Sequence, residues 1–449
     1  MGRAAWHDLS QAYDSPYYHL PFAARLGGVV GPEAYVFSPV NDARYRGFPL
    51  LAELLQGLLF RVTGRPEAAN LVAWASVPAL AGYVSWRLRV PFGLAVFALL
   101  AVPLVQTHAT SAYVDLPANV AATLLLLEGL ALVGEKRPPS AAALVRALGF
   151  AAFAAHMRFQ LVPTVALGLG LCALASLRRR GRRGRLLLLA AGAPLVFGKL
   201  LTNLVWLGNP VYPVELRVLG HALPFAETAY ASSPDHLASA SRGVRFVHSI
   251  FELSSPPLGD PSRWTVDQYA PPGSAAYRMG GFFGAYVALH LLLFVALAWR
   301  DRSGQARRRA AVFAALSVLV AQAPQSHELR YYMVWMLVLV SLNLAEAGVY
   351  RRGEGRAVAG LLSALVLASF GAVAWFTGGV WLAPSGSRLE EVIARRVDVS
   401  AVRSVEEEET VCLWRPPWTF FYAAPFHSPR RYRLVEGEVP EACGALRRP

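Results

Sequence analysis

Long apolar runs, broken at intervals by short polar connections, dominate this chain. Runs near 20 residues match the thickness of a bilayer core. They predict ten membrane-spanning helices, over 68–86, 91–107, 116–134, 141–157, 160–177, 186–206, 281–299, 309–324, 331–349 and 357–377. Basic residues gather in every second connection. Arg87 and Arg89 follow the first run, Lys136 and Arg137 the third, and Arg178, Arg179, Arg180, Arg182, Arg183 and Arg185 the fifth. Arg300, Arg302, Arg307, Arg308 and Arg309 follow the seventh; Arg351, Arg352 and Arg356 follow the ninth. Positive connections stay in the cytoplasm. Segments 1–67, 108–115, 207–280, 325–330 and 378–449 are then expected to face outward.

One apolar stretch departs from the pattern. Residues 48–63, FPLLAELLQGLLFRVT, are short for a span and carry Glu53 and Gln56 in the middle. A span there would also reverse every later helix against the arginine clusters. The stretch is therefore expected to lie as a helix in the outer interface. The polar segment before it needs something to carry it outward, so an additional apolar helix is expected upstream of Met1, making eleven spans.

The division that follows is a first outward segment (1–67), a membrane core (68–377) and an outward tail (378–449). Loop 207–280, rich in Pro, Ser, Gly and aromatics, is too long for a connector and is expected to cover the outer surface as a lid or substrate wall. The tail runs through PSGS, the amphipathic LEEVIARRV and the apolar VCLWRPPWTFFY, which predict a small α/β domain. Cys412 and Cys443 both lie there; an oxidising compartment permits a disulfide, with two free thiols as the alternative. Glu406–Glu409 reads as a solvated loop.

Composition narrows the function classes. The chain has 449 residues, 55% hydrophobic and only 16% charged, against about a quarter charged in globular domains. A string of soluble domains is excluded. The net charge of +14 does not indicate a nucleic-acid partner, because the cations sit in clusters between apolar runs rather than along one stripe. Three cysteines offer no metal-ligand spacing, and no P-loop, GxGxxG or HExxH occurs.

The candidate chemistry collects on the outward side. YDSPYYHLP supplies Asp14, Tyr18 and His19; HATSAYVDLP supplies His108, Tyr113 and Asp115; SHELRYY supplies His327, Glu328, Arg330 and Tyr331. His156 and Arg158 close the fourth span. Lys199 and Asn203 are four residues apart and share a face of the sixth span. Lys199 lies about two turns inside the membrane from Gly208, where an ionisable group lines a polar cavity or snorkels outward. An aspartate before proline at a helix start is also an ordinary cap, and Arg330 also has Glu328 as a local partner. Cations at headgroup depth suit a lipid phosphate, and a carboxylate beside them suits a general base acting on a hydroxyl.

These motifs, in this order, resemble the GT-C glycosyltransferases, especially the branch of protein O-mannosyltransferases and aminoarabinose lipid A transferases. YDSPYYHLP looks like that family's acidic motif in the first outward loop, with Asp14 at the catalytic position and Ser15 in place of the usual second acid. YRGFPLLAEL at Tyr45–Leu54 is similar to the family's interfacial-helix motif, with Gly47, Phe48 and Pro49 where KPP is usual. Tyr113–Pro117 resembles the end of the second outward loop through Asp115. Lys199, Asn203 and Gly208–Pro213 match a basic residue and Asn before GNPVYP, and Glu328–Tyr331 matches E-x-R-Y. The resemblance implies a GT-C-like helical bundle in the bacterial cytoplasmic (inner) membrane that moves a sugar from a polyprenyl-phosphate donor to a lipid, glycan or protein acceptor at the outer, periplasmic face. Asp14 and Asp115 would be catalytic, and Lys199, Arg158 and Arg330 would hold the donor phosphate. Tyr18, His19, Tyr113, Asn203, Asn209, Tyr212, Glu328 and Tyr331 would line the substrates. Some members use a divalent cation, which two acids here would allow. The rival reading is a lipid or polysaccharide-precursor transporter or flippase; inverted repeats and broken midplane helices, common in such folds, are not evident.

Overall fold

Each of the ten apolar runs is helical in the computed structural model, which describes residues 1–439 apart from 179–180, 229–232, 254, 261–262, 265, 267–278, 301–303, 351–355, 380 and 428–429. The first segment holds α1 (Gly2–His7), α2 (Leu20–Leu26), α3 (Pro39–Gly47) and α4 (Leu51–Thr63). The apolar bundle follows as α5 (Leu71–Leu88), α6 (Phe92–Leu100), α7 (Pro103–His108), α8 (Asp115–Gly134), α9 (Ala141–Ala155), α10 (Val162–Leu177) and α11 (Arg182–Leu207). After α12 (Arg242–Ile250) in the long loop it resumes with α13 (Gly284–Arg300), α14 (Gly304–Gln322), α15 (Met333–Tyr350) and α16 (Arg356–Phe376). The tail adds α17 (Leu389–Arg396) and α18 (Val399–Arg403).

Among the described residues, the segments Pro66–Leu88, Asp115–Gly134, Phe159–Leu177 and Arg182–Leu207 are each long and apolar enough to cross a membrane. Tryptophans exposed on the outside of the bundle, Trp86, Trp206, Trp299 and Trp375, all sit near helix ends, where aromatic belts meet the headgroups. The chain is a multi-pass membrane protein. One expected span differs: 91–107 is two helices, not one, because Pro103 lacks an N–H and holds Val102 extended (φ −94°, ψ 111°).

α8 is the central helix, buried along most of its length and packed by α5, α9, α10 and α15. Its position fixes Asp115 in the first turn, and Asn119 locks that turn to the start of α15. The Asn119 amide donates to the carbonyls of Asp115 (2.8 Å) and Arg330 (3.2 Å), while its oxygen accepts from Val334 N–H (2.8 Å). α11 is peripheral, with Leu187, Leu195, Val205 and Trp206 exposed along it.

The first segment and the tail share one core rather than two. β1 (Tyr35–Val36), β4 (Thr410–Leu413) and β5 (Arg433–Glu436) form a parallel sheet in the order β1-β5-β4, with Tyr35 opposite Leu434; β2 (Arg217–Val218) and β3 (His221–Ala222) form a hairpin in the long loop. Phe22, Tyr35 and Phe60 pack with Phe420, Phe421 and Leu434. The buried Glu436 carboxylate accepts from Ser38 N–H (3.1 Å) and, through both of its oxygens, from Asn41 Nδ2 (3.0 Å each). The Asp8 carboxylate accepts from the backbone of Ser385, Gly386 and Ser387, so the PSGS stretch is a clasp onto the N-terminal segment. Cys412 is disulfide-bonded; Cys443, its expected partner, lies outside the described residues. Loop 207–280 is fastened to this unit by Arg44, which grips Glu227 through Nε (3.1 Å) and Nη2 (2.6 Å).

α4, the stretch 48–63, packs on α2 instead of standing among the long helices. The two backbones meet at Gly27 and Gly57: a Cβ on Gly57 would lie 2.1 Å from Ala23 O, and one on Gly27 2.4 Å from Gly57 O. Gly57→Ala therefore forces the helices apart. A loss of about 1–3 kcal/mol is expected from such overpacking, read as a lower thermal midpoint in detergent, with the neighbouring Leu58→Ala, whose side chain is exposed, as the unaffected control.

Candidate functional site

Four connections deliver polar side chains to one end of the bundle. The first is a π-helical turn, Ser15–His19, with Pro16 near its start and Asp14 preceding it; such turns often mark functional sites. The second is the junction of α7 and α8, which carries His108, Tyr113 and Asp115. Arg158 comes from the turn after α9, and Glu328, Arg330 and Tyr331 from the short 3₁₀ turn before α15.

These groups form a graded cluster. At the mouth is Asp14, whose side chain is 20% exposed; its Oδ2 lies 3.3 Å from Arg330 Nη1, and its backbone N–H donates to the Tyr113 hydroxyl (3.1 Å). Arg330 Nη2 donates to the Tyr331 hydroxyl (2.8 Å), and its Nε is 3.4 Å from Glu328 Oε2. The guanidinium sits over the rings of Tyr331 and Tyr113, 4.7 and 5.6 Å from their centroids. Deeper in the cluster is the fully buried Asp115, whose Oδ1 lies 2.8 Å from Arg158 Nη2. The contact is ionic without hydrogen-bond alignment, so both Asp115 oxygens keep their acceptor capacity. Arg158 also stacks 5.1 Å above Tyr331.

Buried contacts fix the turn bearing Asp14. His19 Nδ1 is 2.8 Å from Glu53 Oε1, both buried, and Gln56 donates to Ala112 O (2.7 Å). The two polar residues that disqualified 48–63 as a span thus tie α4 to the first and second outward loops. Tyr18 lies beneath the Arg44 guanidinium at 5.4 Å. Burial, reinforced by Asp14, holds its phenol well above the usual tyrosine range, leaving it a neutral donor. Burial also raises the Glu328 carboxyl, against the pull of Arg330 and with a further push from Asp14.

His108 was recognisable in the HATSAYVDLP cluster but was not placed in the site. It is fully buried, neither ring nitrogen has a hydrogen-bond partner, and it packs edge-on against Tyr113 (5.5 Å). Burial lowers its pKa from 6.5 to about 4, with Asp115 opposing and Arg330 and Arg158 assisting. Because the folded value lies below the unfolded one, protonation favours the unfolded chain. Stability present above pH 6.5 is lost as pH falls toward 4, by up to about 3 kcal/mol. His108→Asn should flatten this part of the pH profile of the thermal midpoint.

Other expected site residues bind backbone carbonyls. Lys199 Nζ donates to Arg46 O (2.5 Å), in the last turn of α3, where a cation meets the negative end of the helix dipole. The Asn203 amide donates to the carbonyls of Gly47 (2.8 Å) and Tyr212 (3.3 Å), and that of Asn209 to Val214 and Pro224 (both 2.9 Å). Asn203 thereby joins the long loop to the end of α3, while Asn209 folds that loop on itself. Gly47 is required there, since a Cβ would meet Tyr212 O at 2.4 Å. Among the described residues, no three His, Cys, Asp or Glu side chains converge to hold a metal ion.

No family profile matches the chain, and no curated protein does. The fold does have solved counterparts. ArnT from Cupriavidus metallidurans in the apo state matches with a TM-score of 0.52 at 14% identity, covering 97% of this chain and 82% of ArnT. ArnT bound to undecaprenyl phosphate matches with a TM-score of 0.51 at 15% identity, over 96% and 83%. The chain has the ArnT fold over nearly its whole length, as the resemblance of its motifs to the GT-C glycosyltransferases leads one to expect.

Proposed function

We propose that this protein is an inverting glycosyltransferase that takes a sugar from a polyprenyl-phosphate carrier and delivers it to an acceptor hydroxyl at the outer face of the cytoplasmic membrane. One observation carries the reading: a partly exposed carboxylate, Asp14, stands beside Arg330, with Arg158 and the buried Asp115 deeper in the cluster, in a chain whose fold is that of ArnT, one structure of which holds undecaprenyl phosphate. In this reading the acceptor hydroxyl attacks the anomeric carbon from the side opposite the phosphate. Its proton passes to Asp14, the bond from carbon to phosphate oxygen breaks, and polyprenyl phosphate leaves with the electron pair. Arg330 and Arg158 stabilise the charge growing on the leaving phosphate, the electrostatic contribution that dominates in such sites. Asp115, with its free acceptor lone pairs, orients the incoming hydroxyl. Lys199, on α11 with its exposed apolar side chains, guides the carrier headgroup, and the polyprenyl chain lies along that helix. The described part of loop 207–280, pinned through Glu227, walls the site.

The test is the purified full chain in vesicles with an isotope-labelled polyprenyl-phosphate sugar. A transferase moves label onto a new acceptor product and releases unlabelled carrier; a flippase returns labelled donor unchanged on the other leaflet, and that result would end the assignment.

A further inference from the structure

The hairpin of loop 207–280 carries an apolar tip that the fold itself does not use. β2 and β3 are joined by Leu219 and Gly220, with Val218 opposite His221 across the turn. Both turn residues are left-handed, at φ +50° and +86°, in the kind of turn where Asn-Gly or Gly-Gly is usual. Glycine adopts this backbone freely, whereas the Cβ of leucine at the first position makes it strained. No burial compensates: Leu219 is 95% exposed, and Val218 and Phe225 are exposed as well. A strained leucine that serves neither the turn nor the core points to a partner outside the chain.

The foot of the hairpin is fixed where α11 ends. The Asn209 amide donates to Val214 O and Pro224 O, one on each limb (both 2.9 Å), and Leu223 N–H donates to Leu216 O (2.9 Å). A Cβ on Gly208, which closes α11, would lie 3.2 Å from Pro224 Cγ. Just before Gly208, the side chains of Leu201, Leu204, Val205 and Trp206 are exposed on a helix long and apolar enough to cross the membrane. An exposed tryptophan at such a helix end marks headgroup depth. Five residues separate Val214 from Leu219, a reach of roughly 17 Å in extended chain. The tip is therefore tethered close to the level at which α11 leaves the bilayer. Exposed Arg217 and His221 flank it, giving an apolar apex with polar shoulders, as in segments that lie in a membrane interface.

We propose that the β2–β3 hairpin is a membrane contact: Leu219 and Val218 enter the leaflet that surrounds the end of α11 and anchor the long loop to the lipid surface. Lipid is the occupant that the position favours, because the exposed apolar side chains of α11 and those of the hairpin form one continuous stretch of chain. The tip takes no part in the sugar transfer proposed above, so the inference stands independently of that reading.

The full chain with Leu219→Cys is labelled at the new thiol with the fluorophore bimane and placed in phosphatidylcholine nanodiscs, with or without bromine on the acyl chains. Labelled wild type gives the background from the native cysteines. Brominated lipid should quench the probe several-fold more than the same probe at Glu390→Cys, an exposed position in the first turn of α17, and iodide in the water should do the reverse. With the probe moved to Val218→Cys, adding Leu219→Asn should remove most of the lipid quenching, since Asn-Gly keeps the turn and only the apolar apex is lost. Equal lipid quenching at Leu219 and Glu390, or stronger iodide quenching at Leu219, overturns the proposal. So does a Leu219 probe shielded from both quenchers, the result expected if a second copy of the chain covers the tip.

Discussion

Asp14→Asn should leave carrier binding intact and reduce sugar transfer by roughly 10²–10⁴-fold, the range a positioned general base contributes. The substitution keeps the shape of the side chain and removes its capacity to take a proton. It also removes half of the Asp14–Arg330 pair, but Arg330 keeps Glu328 at 3.4 Å and the Tyr331 hydroxyl at 2.8 Å. Asp14 is among the groups raising the Glu328 carboxyl; its neutralisation favours ionised Glu328 and so partly restores the counter-charge. The expected pattern is a fall in kcat with little change in carrier affinity or in thermal midpoint, because Arg330 keeps two other partners once Asp14 is neutral. Carrier affinity is read by binding of labelled polyprenyl phosphate to detergent-solubilised protein. Normal turnover in Asp14→Asn, or loss of carrier binding equal to the loss of transfer, would sink the assignment of Asp14 as base.

The bundle was legible because run length and arginine placement are direct consequences of the bilayer. Where an apolar run conceals a local backbone rule, as at Val102–Pro103, composition alone reads one helix and the missing proline N–H makes two. The polar cluster was legible in part. Asp14, Tyr113, Asp115, Arg158, Glu328, Arg330 and Tyr331 come from four connections that a consistent topology brings to one end, and there they meet. Lys199 shows the limit: its partner is the carbonyl of Arg46, and a backbone acceptor has no signature in a string of side chains. Asn203 and Asn209 likewise bind carbonyls. Glu53 carried a signal that was read only negatively, as an obstacle to a span, whereas its partner His19 lies in another helix. The union of the first segment with the tail rests on Glu436 reaching Asn41 and on a two-residue strand, Tyr35–Val36. Pairings across nearly 400 positions leave no periodicity to detect.

The two acids of the cluster are expected to separate under mutation, since their environments differ. Asp115 is fully buried and its carboxylate faces Arg158, whose side chain is only 13% exposed. Removing one partner of such a pair strands a buried charge, at a cost of about 3–5 kcal/mol. Asp115→Asn should therefore lower the thermal midpoint sharply, in contrast to Asp14→Asn. The cause can be isolated by removing the stranded charge as well. Arg158→Met alone leaves Asp115 with Arg330 as the permanent cation acting on it, and should also destabilise. Asp115→Asn combined with Arg158→Met has no uncompensated ion and should recover much of the lost stability, as apolar replacement of whole buried pairs commonly does. Recovery of folding without recovery of carrier binding is the outcome expected if Arg158 holds the leaving phosphate. A double variant that folds, binds carrier and transfers sugar at the wild-type rate would show the pair to be structural, leaving Arg330 as the cation at the reacting phosphate.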